Sequence, residues 1–121
     1  MKKVIGLGFV LLSALPAWAG VLESRLAEAV RGNDEAAIKS LLAKHVAVNA
    51  PLPDKSTVLS WAVDRQNPRS VDMLLAAGAK PNITDIDGAS PLTLACERGD
   101  PQIVASLLKA GADANSARLD G

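Results

Sequence analysis

Part of this sequence repeats itself at a fixed spacing of 33 residues, and that feature narrows the fold more than any other. Thr57 to Gly88 reads TVLSWAVDRQNPRSVDMLLAAGAKPNITDIDG, and Ser90 to Gly121 reads SPLTLACERGDPQIVASLLKAGADANSARLDG. Laid over each other without a gap, Leu59 meets Leu92, Ala62 meets Ala95, Arg65 meets Arg98, Pro68 meets Pro101 and Val71 meets Val104. Leu74-Leu75 then meets Leu107-Leu108, Gly78-Ala79 meets Gly111-Ala112, Asn82 meets Asn115, and Asp87-Gly88 meets Asp120-Gly121. One more step back puts Leu26, Ala29, Ile38, Leu41-Leu42 and Asn49 at matching places. A unit this short cannot bury its own apolar face, so the units must stack and share a core.

Within the last copy the local signals describe two helices. Ser90 is a good N-cap, and Pro91 fits the first helical position, where its missing N–H costs nothing. The spacing of Leu92 and Ala95 predicts a short helix from Pro91 to about Arg98, ended by Gly99-Asp100. Pro101 opens a second helix to about Ala110, with Ile103, Val104, Leu107 and Leu108 as its apolar stripe. Gly111 supplies a left-handed stop, and turn chemistry fills the remainder.

The pattern S-P-L-x-L-A-x-x-x-G-x-x-x-I-V-x-x-L-L-x-x-G-A-D-x-N over residues 90–115 resembles the ankyrin repeat closely. The second copy keeps most of it, with Val58 for the proline, Gln66 for the first glycine and Ser70 for an apolar residue. The first copy has Asn33 and His45 where glycines are expected, residue types that tolerate positive φ. The resemblance covers residues 22–121 and implies an all-α solenoid of about three helix-turn-helix units joined by hairpin-like loops. The units fall at about 22–54, 55–88 and 89–121.

Ahead of the repeats stands MKKVIGLGFVLLSALPAWAG. Two lysines, an apolar run from Val4 to Leu15, Pro16 and the small-x-small triplet Ala17-Trp18-Ala19 follow the layout of a secretory signal peptide. The run is shorter than the roughly 20 residues that cross a bilayer as a helix. Residues 1–19 are therefore read as a cleaved signal and 20–121 as the domain. The expectation is a bacterial periplasmic or secreted protein that starts near Gly20 and keeps no membrane anchor.

Composition excludes several classes. Basic and acidic residues number 13 each, so the chain lacks the field of a nucleic-acid binder. Loss of the leader removes two of the lysines and leaves a net charge of about −2, too small for strong steering. Aromatic residues make up 2%, too few for stacking platforms that hold single strands. With one cysteine and one histidine, no four-ligand zinc site of Cys and His can form, and no cofactor motif is present. The lone histidine also leaves acid–base catalysis without its usual geometry, so the chain is read as a non-enzyme.

The resemblance implies protein binding through a concave face made of the first helices and the loop tips before them. Transferred to this sequence, the contact positions are Pro53, Asp54 and Ser56 in one loop and Ile86, Asp87 and Ala89 in the next. Arg31, Asp64, Arg65, Glu97 and Arg98 lie at the ends of the first helices. Arg65 and Arg98 share a repeat position, flanked by Asp64 and Glu97, and form either a grip on a partner or a solvated set of self-satisfying charges. The partner is another protein, and the roles left open are adaptor, enzyme-assisting factor, toxin-neutralising immunity protein or secreted host-directed effector. Trp61 matches Leu94, which predicts packing between repeats with an exposed ring edge. Cys96 matches Val63 and Val30, which predicts burial. His45 is expected to serve a turn. The third copy reads like an internal repeat, so an apolar edge prone to self-association is expected.

Overall fold

The computed structural model describes residues 15–117. Among them it has six α-helices and no strand, as the repeat pattern requires. In chain order these are α1 (Leu15–Arg31), α2 (Glu35–Ala43), α3 (Val58–Asp64), α4 (Pro68–Ala76), α5 (Pro91–Arg98) and α6 (Pro101–Lys109). A 3-10 turn follows at Ala114–Ala117. The helices pair as α1 with α2, α3 with α4 and α5 with α6, and the pairs stack so that α3 packs on both α1 and α5 while α4 packs on both α2 and α6. The result is an all-α repeat solenoid with two rows of helices. The assigned export signal lies, up to Ala14, outside the described residues, and α1 runs across the Ala19–Gly20 junction.

Each second helix starts on a side chain. Asp34 accepts from the Ala37 N–H, Asn67 from Arg69 and Ser70, and Asp100 from Gln102 and Ile103. These caps satisfy donors that the first turn of a helix leaves without intrahelical partners. Pro68, Pro91 and Pro101 occupy first helical positions, as their fixed φ favours. Ser90 caps α5 by accepting from the Thr93 N–H, whereas its counterpart Thr57 makes no such bond to α3.

Three turn positions take left-handed backbone in successive repeats. Asn33, Gln66 and Gly99 form one column at φ 56°, 56° and 73°, and His45, Gly78 and Gly111 form another at 58°, 98° and 101°. Lys55 and Gly88 share a third, at 67° and 82°. The third repeat uses glycine at both turns, the second only at Gly78 and the first at neither, where Asn33 and His45 accept the modest cost of a Cβ in this region. His45 thus serves its turn, as expected from its position.

One apolar core runs through all three units: Leu26, Val30, Ile38, Leu59, Val63, Val71, Leu74, Leu92, Ile103 and Leu107 are buried within it. Burying each such side chain contributes about 1.5–3 kcal/mol, and no single repeat supplies enough of them alone. Hydrogen bonds also tie the units together. The Asn49 side chain donates to the Gly78 carbonyl at 3.0 Å and accepts from the Lys80 N–H at 2.8 Å. Asn82 repeats the clamp one unit on, donating to Gly111 at 3.1 Å and accepting from Asp113 at 2.8 Å.

One expectation is corrected. Cys96 is exposed although Val30 and Val63, its counterparts, are fully buried. Those valines face a following repeat, whereas nothing among the described residues covers the far side of α5 and α6 at Cys96. The same asymmetry leaves Leu108 44% exposed.

Candidate protein-binding face

The loops before α3 and α5 are built alike. In the first, Leu52 N–H donates to the Ser56 carbonyl and Lys55 N–H to the Leu52 carbonyl. In the second, Asp85 and Ala89, then Gly88 and Asp85, repeat that pairing. A carboxylate stiffens each tip. Asp54 accepts from the Ser56 N–H and from the Ser56 hydroxyl at 2.6 Å, while Asp85 accepts from the N–H groups of Asp87 and Ala89. The Ser56 hydroxyl, opposed in part by burial and helped by the backbone N–H groups of Ser56 and Asp54, holds the Asp54 carboxyl below its ordinary range. The tips are also joined to each other, because Ile86 N–H donates to the Asp54 carbonyl at 3.0 Å.

Of the loop residues expected to make contacts, Pro53, Asp54, Ile86 and Asp87 face solvent and Ala89 is half-buried. Ile86 is 64% exposed, a large apolar side chain at a loop tip. Ser56 departs from the others: it is 3% exposed and its hydroxyl is spent on Asp54, so its role is to hold the loop rather than to touch a partner.

On the helices, Arg31, Asp64, Arg65, Glu97 and Arg98 are all exposed. They stand at the C-terminal ends of α1, α3 and α5, so stacking of the repeats brings them side by side. Arg65 and Arg98 share a repeat position but differ in what they do. Arg98 reaches back across the repeat boundary to form an ion pair with Asp64, with both side chains nearly half exposed. Such exposed pairs contribute little to stability. Arg65 has no carboxylate within ion-pair distance among the described residues.

Sequence reasoning did not find the stacking of Arg31 on Trp61. The Arg31 guanidinium carbon lies 4.6 Å from the Trp61 ring centroid. Trp61 is half-buried, packed against the core on one side while Arg31 lies over its ring. The 33-residue register aligned Trp61 with Leu94 and did not relate it to Arg31, which lies on the preceding unit. With Asp64 and Arg65 these two line a cleft of about 200 Å³.

No cluster of three or more His, Cys, Asp or Glu side chains fit for a metal ion occurs among the described residues. No described helix is long and apolar enough to cross a membrane. What the face offers is a row of hydrogen-bonded loop tips and a row of charged helix ends. The class these features define is an all-α repeat scaffold. The family model for ankyrin repeats (3 copies) matches residues 26–118, and the chain belongs to that family. Its members are generally non-enzymatic modules of protein–protein interaction. Comparison with curated proteins gives no significant match.

Proposed function

We propose that this protein is a non-enzymatic interaction module, exported to a bacterial periplasm, that binds a partner protein through its loop tips and first-helix ends. The observation that carries the reading is the hydrogen-bonded pair of tips, which holds Ile86 outward beside exposed Asp54 and Asp87 on prearranged backbone. A rigid tip loses little conformational entropy on binding, and an exposed apolar anchor ringed by polar groups is how binding hot spots are made. A photo-crosslinking residue at Ile86 should give a partner adduct in living cells, and one at Ala77, at the end of α4, should not. Adducts from Ala77 but none from Ile86 would overturn the reading.

Export rests on the order of charge, apolar run and small-residue triplet at the start of the sequence. Intact-mass measurement of protein recovered from the envelope should give a chain starting near Gly20, and a chain retaining Met1 would refute it.

The apolar side of the third repeat supports self-association. Cys96, Val104 and Leu108 lie together around a shallow depression there. In the earlier units the matching positions meet another repeat, so a second copy of this repeat is the occupant whose shape fits. Sedimentation should show mass rising with concentration, and Leu108→Lys should suppress the rise. A monomer at high concentration would exclude it.

A further inference from the structure

The cleft between the first two repeats carries charge that the fold does not use. Its floor is the half-buried ring of Trp61, and its walls are Arg31, Asp64 and Arg65. Asp64 is committed to Arg98. Neither Arg31 nor Arg65 has a carboxylate within ion-pair distance among the described residues. Arg31 lies over the ring at 4.6 Å, and stacking engages the flat face of a guanidinium while leaving its N–H edge free. Two cations are therefore held at one opening with their donors unspent.

The opposing charge is smaller. The ends of α1 and α3 close on this cleft, and a helix C-terminus carries about half a negative charge. Two such ends offset about one of the two guanidinium charges, so the opening keeps a net positive charge of about one. A guanidinium presents a planar fork of donors that matches a carboxylate. The ring beneath supplies apolar surface for the methylene groups that carry it.

Resting on the binding-face reading above, we propose that the Arg31–Trp61–Arg65 cleft takes the carboxylate of a single aspartate or glutamate that stands among neutral or apolar residues of the partner protein. A peptide fits better than a nucleic acid. Asp54 and Asp87 stand exposed on the neighbouring loop tips, where they would repel a continuous phosphate backbone, and the whole chain has no basic excess to attract one. A single acidic side chain set among neutral or apolar residues meets no such penalty.

The test is selection of phage-displayed random peptides on the full chain, followed by affinity measurement of the enriched peptides on variants. Arg65→Gln is the first variant, because the exposed Arg65 side chain makes no ion pair or hydrogen bond among the described residues. Arg31→Gln and the lysine replacements at both positions follow. Enriched peptides should carry Asp or Glu, bind about tenfold more weakly to Arg65→Gln, recover in part with Arg65→Lys, and weaken with added salt. Peptides without acidic residues that ignore both arginines but are lost in Ile86→Ser would overturn the cleft while leaving the binding face intact. Peptides that depend on neither Ile86 nor the arginines would overturn both readings. Tighter, arginine-dependent binding of a random single-stranded oligonucleotide would replace the carboxylate with a phosphate and overturn the proposal.

Discussion

The second and third repeats share many of their core and turn residues, yet they are stabilised in opposite ways. The third is well made locally. It has Pro91 at its first helical position, Ser90 as a working cap, Gly99 at a left-handed turn and Ile103 in its core. The second has Val58, a Thr57 that caps nothing, Gln66 at φ 56° and a fully buried Ser70 whose hydroxyl has no hydrogen-bond partner among the described residues. What the second repeat has instead is a neighbour on each side. Val63 is 0% exposed where Cys96 lies open. Stability in a stacked array is a sum of each unit's own worth and the interfaces it shares, and this chain sets a poor unit in the best-supported place.

The largest effect should come from making the same change at both ends of that contrast. Val63→Ser removes buried methyl groups and leaves an unpartnered hydroxyl, which should cost about 3 kcal/mol. Cys96→Ser exchanges one exposed small side chain for another and should change stability by less than about 0.5 kcal/mol. Urea unfolding of the two variants measures the difference. Equal losses would mean that the repeat's own sequence, and not its neighbour, decides the cost.

Next in size is the clamp between the units. Asn82→Ala deletes both its bonds to the third repeat and should lower stability by about 1.5 kcal/mol. Hydrogen exchange should then show the third repeat opening ahead of the first two, since the clamp at Asn49 is untouched. Uniform loosening of the whole chain would break the picture of separable interfaces.

Repairing the second repeat should act in the other direction. Ser70→Ala removes a buried hydroxyl with no partner, and the first repeat already carries Ala37 at that place. The gain should be about 1 kcal/mol in urea unfolding. Gln66→Gly should add about 0.5 kcal/mol at a backbone angle that favours glycine, the release of strain outweighing the added freedom of the unfolded chain.

The helices were legible in the sequence because their signals are local. Pro91, Pro101, Ser90 and Gly111 mark the helix boundaries in the third repeat, and the 33-residue register carries them to the other two. The turns at Asn33 and His45 followed from the glycines they replace. What stayed hidden depends on relations across repeats. Cys96 and Val63 share a register position, so alignment made them equivalent, and only the stacking order separates them. Arg98 and Arg65 aligned in the same way, yet one is drawn to Asp64 and the other has no carboxylate within ion-pair distance among the described residues. The cleft over Trp61 combines residues of two units, and no pattern within one unit contains it.

The smallest expected effect concerns the two loops, which reach the same turn by different chemistry. Asp54 accepts from a hydroxyl that the second loop lacks, because Ala89 stands where the first loop has Ser56. That hydroxyl holds the Asp54 carboxyl below its ordinary range. A carboxyl whose pKa is lower folded than unfolded adds stability above the unfolded pKa, and the addition fades as pH falls through the folded value. Stability should therefore decline slightly as pH falls below the ordinary aspartate value of about 3.9 and on through the lower folded value. Asp54 is exposed, so solvent screening keeps the effect small. Ser56→Ala should flatten this part of the acid limb, whatever it does to stability at neutral pH. Parallel urea titrations of the two proteins across that range give the comparison, and an unchanged acid slope in Ser56→Ala would show that the loop's stiffness comes from its backbone bonds alone.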